Sequence, residues 1–341
     1  MTTAINAPQP AVVAVPGTVT CPACRAKVTS APIERWTAAE AANFFVVPSR
    51  NADRNARCSA ALAKLWNDRP CEVYECNACG LGFGWPHLSG SNEFYAITHE
   101  QADYPPFRWE YPQAAQHAIA QFPAGGLVLD VGAGHGNFSK QLPAGWSYYA
   151  VESTEVMRQR IEQRGHKTFT SLEHAADAHP NAFSFIVLFQ VLEHVADFDG
   201  MLATLRSLAA PGAVLAMSMP YGPEIARRVA VATCPDMPPN HINRWTPPAV
   251  AAAVARAGFK LESHRVQPPQ VRNVLYTAYL RTIAQAARQP RSLAGRWYSV
   301  QNKKARIALA PPLGVLQLLR MAPRLRSAAL SANFLTFSRA V

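Results

Sequence analysis

From residue 263 to the C-terminus the sequence contains no aspartate and no glutamate, while 13 lysines and arginines fall there. The whole chain carries 33 basic and 22 acidic residues, a formal charge of +11. Residues 1–262 therefore hold 20 basic and 22 acidic groups and are close to neutral. A cationic footprint spread over the entire surface, as a general nucleic-acid binder would show, is excluded. Long apolar runs are also lacking. The most apolar late stretch, Ile307–Leu319, is short and is interrupted by Pro311 and Pro312. A membrane-spanning helix needs roughly 20 apolar residues. No charged leader with an apolar core is seen at the start, so no secretory signal is expected. Cysteine is nearly absent after Cys79, where only Cys234 remains. The others, Cys21, Cys24, Cys58, Cys71, Cys76 and Cys79, crowd toward the N-terminus, unlike the framework of a small secreted disulfide domain. A reducing, cytoplasmic setting is the expectation. Charged residues are only 16% of the chain, but 49% is hydrophobic, which excludes a wholly disordered protein.

At 341 residues the chain is long for one module, and its pattern changes along its length. Residues 1–19 are rich in Ala, Val, Pro and Thr and are expected to be flexible. Residues 20–105 hold the cysteines and show little periodicity. From residue 106 to 341 short apolar runs alternate with helical patterns, the signature of an α/β sheet. The expected strands are Leu127–Val131, Tyr148–Val151, Lys167–Thr170, Phe183–Phe189, Ala213–Met219, Phe259–Val266 and Phe334–Arg339. Phe198, Met201, Leu202, Leu205 and Leu208 fall at helical spacing. Thr246 can cap a helix whose first turn takes Pro247 and Pro248 and which leaves through Gly258. The stretch 267–330 interrupts the alternation as a basic helical insertion, with helices expected over about 271–288 and 312–322.

Residues 127–136 run from a buried strand into a turn bearing Gly132, Gly134 and Gly136. Glycine there permits positive φ and close backbone approach of a ligand. The spacing is GxGxG rather than the GxGxxG of dinucleotide sites, so the loop alone leaves a plain turn and a nucleotide site equally open. Glu152 ends the second strand, and its distance from Asp130 is close to the roughly 20 residues that separate loop and acid in nucleotide-binding sheets. A carboxylate there can accept two hydrogen bonds from ribose hydroxyls. Loop, spacing and acid together make an adenosyl ligand the leading reading.

These residues resemble the class I S-adenosylmethionine-dependent methyltransferases. The matching segments are Leu129–Gly136, Val151–Ser153, Phe183–Val195, Pro211–Pro220 and Asn240–Pro247, with Leu192-Glu193-His194-Val195 the most specific. The resemblance implies a Rossmann-like α/β fold, a seven-stranded sheet ordered 3-2-1-4-5-7-6 with the last strand antiparallel. It implies that Asp130 and the Gly132–Gly136 loop approach the amino acid part of S-adenosylmethionine and that Glu152 holds the ribose. Ser171 and Leu172 would flank the adenine, and Gln190 would sit near the sulfonium. Ser184 and Gln190 depart from the family pattern, at positions usually Asp and often His or Asp.

A hydroxyl or carbon acceptor must lose a proton as it is methylated. His241 is the best-placed candidate base, with His194 and His135 as others. Each could instead pin a loop or order a helix start.

Cys21-Pro-Ala-Cys24 and Cys76-Asn-Ala-Cys79 are paired CxxC hooks, able to hold one structural Zn²⁺ through four thiolates. Gly80 permits the tight turn after the second hook. Redox-active CxxC is the rival, yet neither hook lies at a strand-to-helix junction. Cys58, Cys71 and Cys234 read as ordinary thiols. The family resemblance extends here, since many small-molecule methyltransferases begin with a zinc-ribbon-like domain followed by an aromatic segment. Glu93–Tyr95 and Tyr104–Tyr111 match that description.

The leading expectation is methyl transfer to oxygen or carbon of a small-molecule or carrier- or nucleotide-linked acceptor. The basic insertion suits an anionic partner: a nucleotide-linked sugar, a phosphopantetheine carrier or an anionic lipid surface. An RNA methyltransferase is the alternative, disfavoured by the near-neutral body and by Met219-Pro220-Tyr221-Gly222, which is not the tetrad used on exocyclic base nitrogens. A non-catalytic cofactor-binding zinc-ribbon protein is the third reading.

Overall fold

The computed structural model describes residues 19–98, 106–223, 225, 236–268, 270–321 and 333–341. Residues 1–18, Cys234, Tyr104, Pro105 and the end of the expected insertion (322–330) lie outside the described residues. No described helix is long and apolar enough to cross a membrane.

Three sheets organise the chain. A two-stranded ribbon pairs β1 (Val19–Thr20) with β2 (Lys27–Val28). Next in sequence come β3 (Glu34–Trp36), β4 (Cys71–Glu75) and β5 (Gly82–Trp85). They are followed by β6 (Gly126–Val131), β7 (Trp146–Val151), β8 (Lys167–Phe169), β9 (Phe183–Phe189) and β10 (Ala209–Pro220). The last are β11 (Asn243–Arg244), β12 (Phe259–Val266) and β13 (Asn333–Ala340). The central sheet has the order β8-β7-β6-β9-β10-β13-β12, with β13 antiparallel to both neighbours. This is the expected Rossmann-like order 3-2-1-4-5-7-6.

The reason is visible in the burial. Along β6 the last four residues are buried, and along β9 all but Ser184 are, as strands covered on both faces require. Ser184 stands where the family usually has Asp. Its hydroxyl accepts from the Leu127 amide at 3.2 Å, tying the start of β9 to β6. Helix Phe198–Leu208 buries all five residues of its apolar stripe. Thr246 caps helix Pro247–Arg256 by accepting from the Ala249 amide. Helices Val271–Arg288 and Ala310–Met321 form within the basic segment, the second beginning slightly earlier than its pattern predicts.

The third sheet has the order β11-β5-β4-β3, and β11 comes from the connection between β10 and β12. It pairs antiparallel with β5, Asn243 opposite Phe83 and Arg244 opposite Gly82. The cysteine-bearing segment is therefore stitched into the half of the chain that forms the central sheet. Cys21, Cys76, Leu81 and Phe83 share one apolar cluster with Phe198, Trp245, Val250 and the face of the central sheet.

Candidate cofactor site, histidine cluster and thiol cluster

The strand β6 ends on Asp130 and Val131, and the chain then turns through Gly132, Gly134 and Gly136. All three glycines have positive φ, 71°, 54° and 63°. At Gly132 an added Cβ would also lie 2.8 Å from the Val191 side chain, so both conformation and space demand glycine. Asp130 is buried and accepts from the Tyr148 hydroxyl at 2.6 Å. Burial pushes its carboxyl up to about 7. Glu152, also buried, accepts from the Gly134 amide at 2.9 Å with one oxygen and from the Thr154 amide at 2.9 Å with the other. The loop and the acid at the end of β7 are thus one hydrogen-bonded unit. Ser171 caps helix Leu172–Ala178 by accepting from the His174 amide, and Leu172 is buried beside it.

Gln190 follows β9 with a left-handed φ of 60°, unusual for a residue with a side chain. Its amide donates to the Ser218 carbonyl at 2.9 Å. The Ser218 hydroxyl donates to buried Glu110 at 3.0 Å. Gln190 is therefore held between the C-terminal ends of two parallel strands, where open α/β sheets place their ligands.

His194 and His241 lie far apart in sequence, and the structure brings them together. Their rings meet edge to face, centroids 4.7 Å apart. Ile242 makes this possible: its amide donates to the Glu193 carbonyl, and its own carbonyl accepts from the Gly84 amide, both at 2.9 Å. Nδ1 of His194 donates to the Asn240 carbonyl at 2.6 Å, which leaves Nε2 as the proton-accepting nitrogen. Nδ1 of His241 lies 3.1 Å from the Asp236 carboxylate, an ion-pair distance that favours the protonated ring. A carboxylate next to a histidine favours the charged ring that forms when the histidine takes a proton. His135 lies on the glycine loop, away from this pair in sequence, with its carbonyl bonded to Arg164.

Two neighbours, Glu193 of the Leu-Glu-His-Val motif and Tyr95 of the aromatic segment, flank this pair. Glu193 is fully buried, with neither carboxylate oxygen hydrogen-bonded. Burial pushes it up to about 7, against the charge of His241. One ligand atom each from Glu193, His194 and His241 falls within 4.8 Å of the others, a spacing that a cation could bridge. Tyr95 packs edge-on to His194. The Leu-Glu-His-Val motif already marks Glu193, but nothing in it says that the carboxylate points into protein.

The four hook cysteines converge. Sγ of Cys21 lies 3.6 Å from that of Cys79, and Cys24 lies 3.5 Å from Cys76. Thiolates at about 2.3 Å from a tetrahedral Zn²⁺ stand roughly 3.8 Å apart, so the donor set fits the ion. Arg25 and Gly80, each following the second cysteine of its hook, share left-handed φ values of 66° and 73°. The two hooks therefore use the same turn, although only one has glycine. Cys58 and Cys71 sit apart in an apolar cluster, and burial pushes both up to about 12, which leaves them as inert thiols.

Residues 107–264 match the family described as "Methyltransferase domain". Together with the strand order, this decides the family. Residues 107–264 are a class I S-adenosylmethionine-dependent methyltransferase domain. Solved structures similar to this methyltransferase include a putative sarcosine dimethylglycine methyltransferase from Galdieria sulphuraria, 13% identical, covering 67% of this chain and 84% of that one (TM-score 0.43). A methyltransferase from Archaeoglobus fulgidus is 12% identical over 67% and 92% (TM-score 0.43). The cyclopropane synthase MmaA2 from Mycobacterium tuberculosis is 14% identical over 65% and 83% (TM-score 0.40). No curated protein matches the sequence.

The methyltransferase family motif at Asn240–Pro247 also has a structural duty. Arg244 donates twice to Glu34, at 2.6 and 3.0 Å, and both side chains are nearly sealed from water. Asn243 accepts from His87 at 2.9 Å and donates to the Val195 carbonyl at 2.8 Å. Burial lowers His87 to about 4, so it is neutral at this contact. Thr246 donates to the Cys79 carbonyl, and Arg256 bonds the Ala23 carbonyl and Asp199. The segment read from sequence as catalytic thus also fastens the cysteine hooks.

Proposed function

We propose that this chain transfers a methyl group from S-adenosylmethionine to oxygen or carbon of a small-molecule or carrier- or nucleotide-linked acceptor, with His241 taking the acceptor's proton. The observation that carries this reading is the Asp236–His241–His194 arrangement, built where β11 and the turn after β9 meet. The cofactor supplies an electrophilic methyl on a cationic sulfur. Gly132, Gly134 and Gly136 leave room for its approach, Asp130 faces its amino acid part, and Glu152 has lone pairs left for ribose hydroxyls. Ser171 and Leu172 flank the adenine, the latter through its apolar side chain. Gln190 marks the sulfonium end of the site. The Asp236 carboxylate beside His241 stabilises the protonated ring that proton uptake would leave, and His194 is the alternative acceptor beside it. Cys21, Cys24, Cys76 and Cys79 hold one structural Zn²⁺.

Calorimetry with S-adenosylmethionine, followed by methyl release to hydroxyl- and carbanion-forming acceptors, tests the reading. Micromolar cofactor binding with turnover that collapses in His241→Ala supports it. Cofactor binding without transfer to any such acceptor, but with transfer to RNA, would replace it by the nucleic-acid alternative.

A further inference from the structure

The two longest helices of the basic insertion turn apolar stripes toward water. Helix Val271–Arg288 buries Thr277 and Thr282 alongside Ala278, Leu280 and Ala284, and exposes Val271 (79%), Leu275 and Tyr279, spaced four apart. Helix Ala310–Met321 buries Gln317, which donates to Gln285 at 2.7 Å, and exposes Val315 and Leu319 (66%). A helix in water turns its polar residues outward and its apolar stripe inward. Here the buried face is mixed, with Leu280, Ala284 and Ala286 inside and Gln317 bonding Gln285 across the seam, and each helix turns a second, apolar stripe outward. Between these helices in sequence, Leu293, Ile307 and Leu309 are exposed as well. Among the described residues, eight of the 13 exposed large apolar side chains lie between residues 271 and 319.

The charge around these stripes selects the medium. Arg291, Arg296, Lys303, Lys304 and Arg320 are exposed within the same segment, and no acidic residue interrupts it. Exposed apolar stripes beside cations of one sign fit an interface that is apolar inside and anionic at its edge. Helix Val271–Arg288 is about 27 Å long at 1.5 Å per residue, and no described helix is apolar enough to span a bilayer. The element suits lying on a membrane rather than crossing it.

We propose that residues 271–321 form a peripheral docking element for an anionic lipid surface. The proposal is independent of the acceptor chemistry and of His241. It places the methyltransferase at a membrane, within reach of lipid-borne acceptors.

Full-length protein is sedimented with vesicles of phosphatidylcholine containing phosphatidylglycerol, and with phosphatidylcholine alone. At least tenfold stronger partitioning to the anionic vesicles is expected, weakening as salt rises. Val315→Glu with Leu319→Glu should abolish it. These side chains are already solvent-exposed, so circular dichroism and cofactor affinity should stay unchanged. Lys303→Glu with Lys304→Glu should weaken it by roughly fivefold or more per site, the equivalent of ~1 kcal/mol for each cation. Equal binding to both vesicles, or none to either, overturns the proposal. So does a concentration-dependent dimer that Val315→Glu with Leu319→Glu dissolves, because the stripes would then be covered by a second copy.

Discussion

Arg244→Met removes one side of the ion pair that joins β11 to the cysteine-bearing segment. Arg244 and Glu34 lie far apart in sequence, and their side chains are 4% and 11% exposed. Methionine keeps the apolar stem and deletes the charge. Glu34 then remains buried with no counter-charge. Breaking a buried pair from one side costs about 3–5 kcal/mol. A second bound comes from proton uptake. Holding a carboxyl of ordinary pKa near 4.3 neutral at pH 7 costs about 3.7 kcal/mol, at about 1.36 kcal/mol per unit. The expected loss at pH 7 is therefore ~3–4 kcal/mol. At pH 5 neutralisation costs only about 1 kcal/mol, so the gap between variant and wild type should narrow to roughly that value. In the wild type, burial raises Glu34 but the Arg244 hydrogen bond and charge outweigh it and hold it below the ordinary range. A depressed carboxyl stabilises above its unfolded pKa and loses that contribution as pH falls through the folded one. The wild-type pair is thus intact at both pH values. Urea unfolding at pH 7 and pH 5 measures both gaps. A loss under ~1 kcal/mol at pH 7, or a gap that fails to narrow at pH 5, refutes the reasoning. Glu34→Leu with Arg244→Met should recover most of the loss, since the buried charge is gone. Turnover should fall in the single variant with cofactor affinity nearly kept, because Ile242 and His241 lead directly into the same strand.

Three further outcomes are expected. His241→Ala should lower kcat by about 10²–10⁴-fold with cofactor affinity unchanged; Asp236→Asn should share part of the loss, and normal turnover in both would remove His241 as the base. Asp130 lies near 7 because of burial, so its negative charge, which attracts the cationic cofactor, grows as pH rises from 6 to 8; affinity should rise with it, and Asp130→Asn should flatten the profile in calorimetry. Cys76→Ser should abolish stoichiometric zinc in metal analysis and lower the unfolding midpoint, and near-zero zinc in the wild type with four freely titrating thiols would defeat the metal assignment.

Much of the site is legible in the sequence because its chemistry is local. The Gly132–Gly136 loop and Glu152 lie close together along the chain, and the left-handed φ values are a backbone need that glycine meets most freely. The CxxC hooks announce themselves by spacing. Gln190 and Ser184 stand out as departures. The contacts of Asp236, Glu193 and Tyr95 are not legible, since a motif or an aromatic run marks a residue without showing what its side chain faces. Helices Ala38–Phe45 and Ala52–Leu65, which build a third apolar cluster with Trp66 and Phe94, also escape the sequence reading. The first buries only Ala41 and Ala42 and the second only Cys58, Ala61 and Leu62, too few large apolar residues to leave a strong periodic signal.

The sequence by itself marked the strands of the central sheet, because its apolar runs alternate with capped helices; the strand order and the antiparallel last strand were implied by the resemblance of its motifs to a family, and the structure has them. The sequence also determined where the positive charge lies. Only the tertiary structure decided that Asn240–Pro247 serves two ends. Its β11 completes a sheet begun at Glu34, near the other end of the chain, and that pairing sets His241 against His194. Only the structure, too, showed the basic insertion turning apolar stripes outward. Periodicity reveals that a helix has two faces, but which face meets the protein depends on what folds beneath it.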